Sequence, residues 1–190
     1  MKKINDRIYL GMISGTAGLV ILTLIDVISS QMGISQRAYR TTAAGVWVSS
    51  RRQAEKWQGQ LLGVMMTIGL SMVGGVLGVK LLISYGRDKL VPKGLFLGVT
   101  FGSIVTGILS GFPSNKVRPK DAVSNLSYLL SHAAFGLVSI FTAAKIGDKS
   151  LFDTPPENNY SKPTEKTTEQ RKEQSDRNVQ HIYSDADFFQ

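Results

Sequence analysis

Apolar residues gather in four long runs separated by short polar or basic stretches, and that pattern predicts an all-α fold. The runs cover about residues 8–32, 59–85, 94–112 and 122–145. Each approaches or exceeds the ~20 residues that carry a helix across ~30 Å of hydrocarbon. The middle two flank a short basic turn at 86–93 and read as a transmembrane helical hairpin around which the chain is organised. The expected architecture is a membrane bundle of four transmembrane helices over residues 1–149, followed by a disordered polar tail over 150–190.

The spacing of small and polar residues within the runs says which faces pack. At ~100° per residue, Gly11, Ser14, Gly15, Gly18, Leu22, Asp26 and Ser29 share one side of the first helix. Gly11 and Gly15 make a small-xxx-small pair, which lets another backbone approach closely. A carboxylate in hydrocarbon is costly, so Asp26 is expected to face the interior. The basic start before this run resembles a signal peptide, but the run is too long and lacks a small-x-small cleavage site, so it is read as a retained span. Gly63, Thr67, Ser71, Gly74 and Gly78 form a seam on the second helix, with Trp57 and Tyr85 at its two ends as interfacial aromatics. Lys80 projects elsewhere and can snorkel.

In the third helix Gly94, Gly98 and Gly102 recur every four residues, whereas Gly107 and Gly111 lie on nearly the opposite side. Two small faces predict two neighbours and a place well inside the bundle. No strand precedes these glycines and no Lys-Ser or Lys-Thr follows, so they do not form a phosphate loop. Pro92 suits the start of this helix. In the fourth run Asn125, Tyr128, His132, Gly136, Ser139 and Ala143 share one face.

The stretch 33–58 is too polar to span. Arg37, Arg40, Arg51, Arg52 and Lys56 surround a brief apolar patch containing Trp47. Two readings stay open: an interfacial helix with Trp47 and the four arginines at lipid head groups, or an ordinary basic loop. Beyond residue 150 the chain is too poor in apolar residues to offset the entropy of ordering. Residues 165–177 suit at most a transient helix. The last nine residues mix acids with aromatics, as a docking motif does and as chance also produces.

Charge sharpens this partition. The net charge is +8, but residues 1–150 carry 17 basic against 6 acidic side chains, and residues 151–190 carry 5 against 8. The basic excess flanks apolar runs, which points to lipid head groups as partners rather than nucleic acid. There is no cysteine and there are two histidines, which excludes thiolate chemistry and argues against an all-protein zinc site. No metal or cofactor is expected. Four spans put both termini on one side. The basic residues divide evenly between the two ends, so orientation rests on Lys80 and on the difficulty of exporting a charged tail. The expectation is a multi-pass plasma-membrane protein with cytoplasmic termini.

One constellation could carry chemistry. At ~1.5 Å rise per residue, Asp26 lies ~9 Å and His132 ~15 Å from the same end of the bundle, so their levels differ by ~6 Å. With Asn125 and Tyr128 they form a candidate intramembrane polar cluster. It serves either a proton-responsive or substrate-contacting site, or helix packing alone. His132 is followed by Ala133-Ala134-Phe135, so no HExxH motif is present, and no serine is singled out as a nucleophile. An enzyme is not expected.

The glycine-rich first span ending in an acid, the Gly33-Ile34-Ser35 exit with Tyr39 soon after, and Ser131-His132-Ala133-Ala134-Phe135-Gly136 in the last span carry a resemblance. The chain resembles small uncharacterised four-span membrane proteins of Gram-positive Firmicutes over about residues 8–145. The resemblance implies a bacterial plasma-membrane location and an all-helical fold, and no activity. The function expected is a non-enzymatic membrane anchor or interaction module with a partner-recruiting tail. The alternative is a small transporter or channel, oligomeric because four spans leave little room for a private aqueous path. A lipid-binding role for residues 37–56 is a third reading.

Overall fold

The structure is a computed structural model and describes residues 3–118 and 121–152. Its helices are α1 (Arg7–Gln31), α2 (Tyr39–Ala44), α3 (Arg51–Glu55), α4 (Trp57–Tyr85), α5 (Leu90–Gly111) and α6 (Ala122–Ile146), with a final 3-10 turn at Lys149–Leu151. Four of the described helices, α1, α4, α5 and α6, are long and apolar enough to cross a bilayer. The chain is thus a small all-α, multi-pass membrane protein. Large apolar side chains such as Leu24, Met65, Phe96, Ile104 and Leu130 face outward, where lipid is their natural solvent.

Local signals set the helix ends. Asp6 accepts from Tyr9 N at 2.5 Å and starts α1; Asp121 accepts from Ser124 N at 2.7 Å and starts α6. Gly33 and Gly86 take φ of 72° and 81°, which only glycine adopts without strain, and they end α1 and α4. Lys93 reaches back across the next turn. Its ammonium donates to Tyr85 O (2.8 Å) and Gly86 O (2.9 Å) and pairs with Asp88 (2.8 Å), so a cation sits on the open carbonyls of α4. Helix α5 begins four residues before the expected 94, with Pro92 still inside the first turn, where a missing N–H does no harm.

The pairing of helices departs from the expected hairpin. Helices α4 and α5 are consecutive but meet only sparingly, whereas α1 packs along both α4 and α6, and α5 packs along α6. The first and last spans are the centre. Glycine decides this. A Cβ on Gly11 or Gly15 would run into the backbone of Val76, Ser71 and Gly75 in α4, and one on Gly18 into Phe135 and Ser139 of α6. Gly94, Gly98 and Gly102 lie against Gly136, Leu137, Ala133 and His132 of α6. By contrast Gly107 and Gly111 meet nothing in the chain within 4 Å. The expectation of two intramolecular neighbours for this helix is corrected: α5 has one close neighbour and sits at the edge.

The two ends of the bundle close differently. At the end that carries the termini, Ile4 N donates to Ile146 O (3.1 Å) and Asp148 N to Ile4 O (2.8 Å), and Lys3 donates to Lys145 O. Leu151 and Phe152 then fold into a core with Leu10, Val79, Leu82, Leu97, Ile140 and Ala143, and Arg87 lies over the Phe152 ring at 5.1 Å. The bundle therefore reaches three residues past the expected boundary at 149. The expected disorder of the tail, the transient helix at 165–177 and the terminal docking motif lie, from residue 153 on, outside the described residues.

At the opposite end the stretch 33–56 is neither a flat interfacial helix nor a plain loop. Helix α2 is tucked into the bundle, with Tyr39, Thr42, Ala43 and Ala44 buried. The turn after α5 docks onto it. Asn115 donates to Thr42 O (3.2 Å) and Leu109 O (2.8 Å) and accepts from Val117 N (2.9 Å), while Lys116 N donates to Gly45 O (2.9 Å).

Candidate functional site

Three of the four residues of the expected polar cluster, Asp26, Tyr128 and His132, meet around Tyr39, a residue that no spacing argument singled out. The N-cap position of α2 is Ala38, which has no side chain to offer the first amides of the helix. Asp26 supplies the acceptor from α1 instead: both carboxylate oxygens accept from Tyr39 N, at 2.9 and 2.8 Å. A carboxylate buried at 4 % exposure is tolerable there because it faces an N–H at a helix start.

The Tyr39 ring extends from this anchor between the two other candidates. It meets Tyr128 edge-on at 5.3 Å between centroids and His132 edge-on at 5.0 Å. Tyr128 donates its hydroxyl to Arg37 O at 2.6 Å, tying α6 to the segment entering α2. His132 Nδ1 lies 2.7 Å from Tyr128 O one turn earlier. A carbonyl only accepts, so Nδ1 carries the proton and the neutral ring keeps its lone pair on Nε2. Asp26, Tyr128 and His132 therefore gather around Tyr39, and Asp26 and His132 are joined through it rather than directly. Asn125 stands near the start of α6, where its amide N–H bonds Asp121 O at 3.3 Å.

Hydroxyls absent from the sequence-derived cluster complete this end. Ser29 and Ser127 bond through their Oγ atoms at 2.5 Å, Gln36 N donates to Ser124 Oγ at 2.9 Å, and Ser35 Oγ donates to Arg37 O at 2.7 Å. Ser124 and Ser127 each stand one residue before a member of the polar face of α6, Asn125 and Tyr128, and so lie to one side of it. Nothing local marked Asn115.

The Tyr39 hydroxyl is buried and has no hydrogen-bond partner among the described residues. Burial raises its pKa well above the ordinary phenol range, with the negative charge of Asp26 adding to the effect, so it stays protonated. A cavity of about 10 Å³ lies beside it, bordered by Thr67, Ser71, Phe101, His132 and Phe135. A second cavity, about 140 Å³, shares Leu22, Tyr39 and Thr67 with the first and runs between α1 and α4 past Thr23, Asp26 and Arg40. At the entrance to α6, hydrogen bonds from the side chain and backbone of Ser124 hold the Asp121 carboxyl below the usual carboxylate range.

The chemistry available here is limited. Ser131 Oγ donates to Tyr128 O at 2.8 Å rather than to His132, so the adjacent serine and histidine do not form a nucleophile–base pair. Among the described residues no group of three His, Asp or Glu side chains is placed to hold a metal ion.

The expected head-group contacts divide. Arg51 pairs with Glu55 at 2.8 Å on an exposed face, Arg52 and Trp47 are exposed, and Arg37 donates to Arg118 O at 3.5 Å. Arg40 differs: its Nε donates to Gln60 Oε1 at 2.6 Å, and Gln60 in turn donates to Thr41 Oγ1 (2.9 Å) and Ala54 O (2.8 Å). Comparison with protein-family models, characterised proteins and solved structures returns no match for this chain.

Proposed function

We propose that the protein is a non-enzymatic membrane anchor that presents its C-terminal tail to protein partners on the cytoplasmic face of the plasma membrane. One observation carries this reading: the Asp26 carboxylate and one ring nitrogen of His132 are engaged in holding the fold. Asp26 caps α2 with both oxygens, and His132 Nδ1 is bonded to the carbonyl of its own preceding turn. A relay carboxylate needs freedom to exchange partners; a cap needs none. The burial of Phe152 supports the same reading, because it ties the last described residue before the tail to the bundle.

The test is affinity co-purification from native membranes in mild detergent, comparing the full chain with one ended after Phe152, so that the core stays whole. A partner recovered with the full chain and lost with the shorter one is the expected result. Recovery of the same proteins with both chains, or of none, would count against the anchor. Asp26→Asn addresses the rival transporter reading: pH-shifted flux in liposomes with an intact fold would favour transport. Homo-oligomerisation, if it occurs, has an open glycine face on α5 at Gly107 and Gly111 to use.

A further inference from the structure

The cavity between α1 and α4 has the features of a site for a single phospholipid. It is about 140 Å³ in volume and lies between two spans, with Thr23 and Val64 of its lining exposed on the outer surface. Its deeper wall is apolar, from Leu19, Val64 and Ile68, and its upper wall is polar, from Thr23, Asp26 and Arg40. The two charges on that wall are not equivalent. Asp26 is hydrogen-bonded to Tyr39 N and attracts the Arg40 charge across the same wall, whereas Arg40 hydrogen-bonds through its Nε, at 2.6 Å to Gln60, and no described group accepts a hydrogen bond from its two terminal nitrogens. Gln60 is itself fixed by bonds to Thr41 and Ala54, so the guanidinium is pre-positioned by α3 and α4 rather than waving in solvent.

A guanidinium with two free donors, set at the top of an apolar groove, matches a phosphate diester carrying an acyl chain. We propose that this groove binds one glycerophospholipid, with its phosphate on the terminal nitrogens of Arg40 and an acyl chain along Leu19, Val64 and Ile68. Arg51 and Arg52 do not share the arrangement. Arg51 is paired with Glu55, and Arg52 stands exposed and lines none of the three cavities described. A second groove between α1 and α6, about 290 Å³, is lined by Ile25, Ile28, Leu126 and Leu130 and carries no charge, so it lacks the head-group contact.

Native mass spectrometry of the full chain in non-ionic detergent, titrated with phosphatidylglycerol, tests the site. The wild type should retain one lipid tightly, and Arg40→Gln should weaken that retention by about ten-fold or more. Val64→Trp should do the same by filling the groove; because Val64 faces outward, this variant keeps the test valid should Arg40→Gln lose its fold. Arg52→Gln should retain the lipid as the wild type does, and millimolar inorganic phosphate should not displace it. Unchanged retention in Val64→Trp, equal loss in Arg52→Gln, or displacement by phosphate alone would each overturn the proposal. The last two results would point instead to diffuse basic attraction and to a simple anion site.

Discussion

The two ends of the bundle are closed by different chemistry. At the end bearing the termini, backbone amides and an apolar plug do the work: Ile4 pairs with residues 146–148, and Phe152 seals the core around Leu10 and Leu82. At the opposite end, polar side chains reach across to backbone atoms: Asp26 to Tyr39, Tyr128 to Arg37, Asn115 to Thr42 and Ser124 to Gln36. The plug of the first closure is sensitive above all to volume, and its polar side-chain bonds, from Lys3 and Lys93 to carbonyls, lie around it. The second depends on each acceptor and donor being present, because a buried partner left alone incurs its full desolvation cost. A membrane protein can thus keep one end dry and hold a folded-in segment at the other.

Phe152→Ala should be the most damaging single change at the terminal end, costing about 3–5 kcal/mol for a buried phenyl. Urea unfolding in mixed micelles would read it, and a loss under 1 kcal/mol would remove the plug from the comparison. At the polar end Asp26→Ala should cost about 1–3 kcal/mol, because it leaves Tyr39 N without an acceptor. Asp26→Asn should cost less, since one side-chain oxygen remains to accept; equal losses for the two would show that charge, not the cap, is what matters.

Smaller effects sharpen the contrast further. Asp121→Ala should cost about 1 kcal/mol as a lost N-cap. Its folded carboxyl is held below the ordinary range, so its contribution is complete above the unfolded pKa of ~4 and fades as pH falls through the lower folded value. The gap between wild type and variant should therefore narrow in acid; a gap that stays constant to pH 2 would contradict a charged cap. Tyr39→Phe should be nearly neutral or slightly stabilising, within about 1 kcal/mol, because the hydroxyl removed has no partner among the described residues while both ring contacts remain. A clear destabilisation would mean that the hydroxyl is satisfied by a bound molecule in the adjacent cavity.

The parts of the fold legible in the sequence are those with a local code. Span length, the Gly94–Gly98–Gly102 register and the inward face holding Asp26 all follow from periodicity within one helix. Which seam meets which helix does not: the small face of α4 could serve any neighbour, and only in three dimensions does Gly75 select Gly15 of α1 over the adjacent α5. Tyr39 was illegible as a site residue for a related reason. Helix α2 has six residues, too few for an apolar stripe, and its capping group lies thirteen positions upstream in another helix. Asn115 sat in a stretch rich in turn-formers, where a buried amide has no signature at all.

The bridge between Ile4 and residues 146–148 has a mechanical side. A pull on the chain at Phe152 would be shared between α6 and, through the bridge, the beginning of α1. These backbone bonds join the two chain segments side by side, so both would have to yield before α6 could unwind from its end. Two membrane-crossing helices, rather than one, would then resist extraction, and the chain would hold its place in the bilayer under a pull that a singly tethered helix would not withstand.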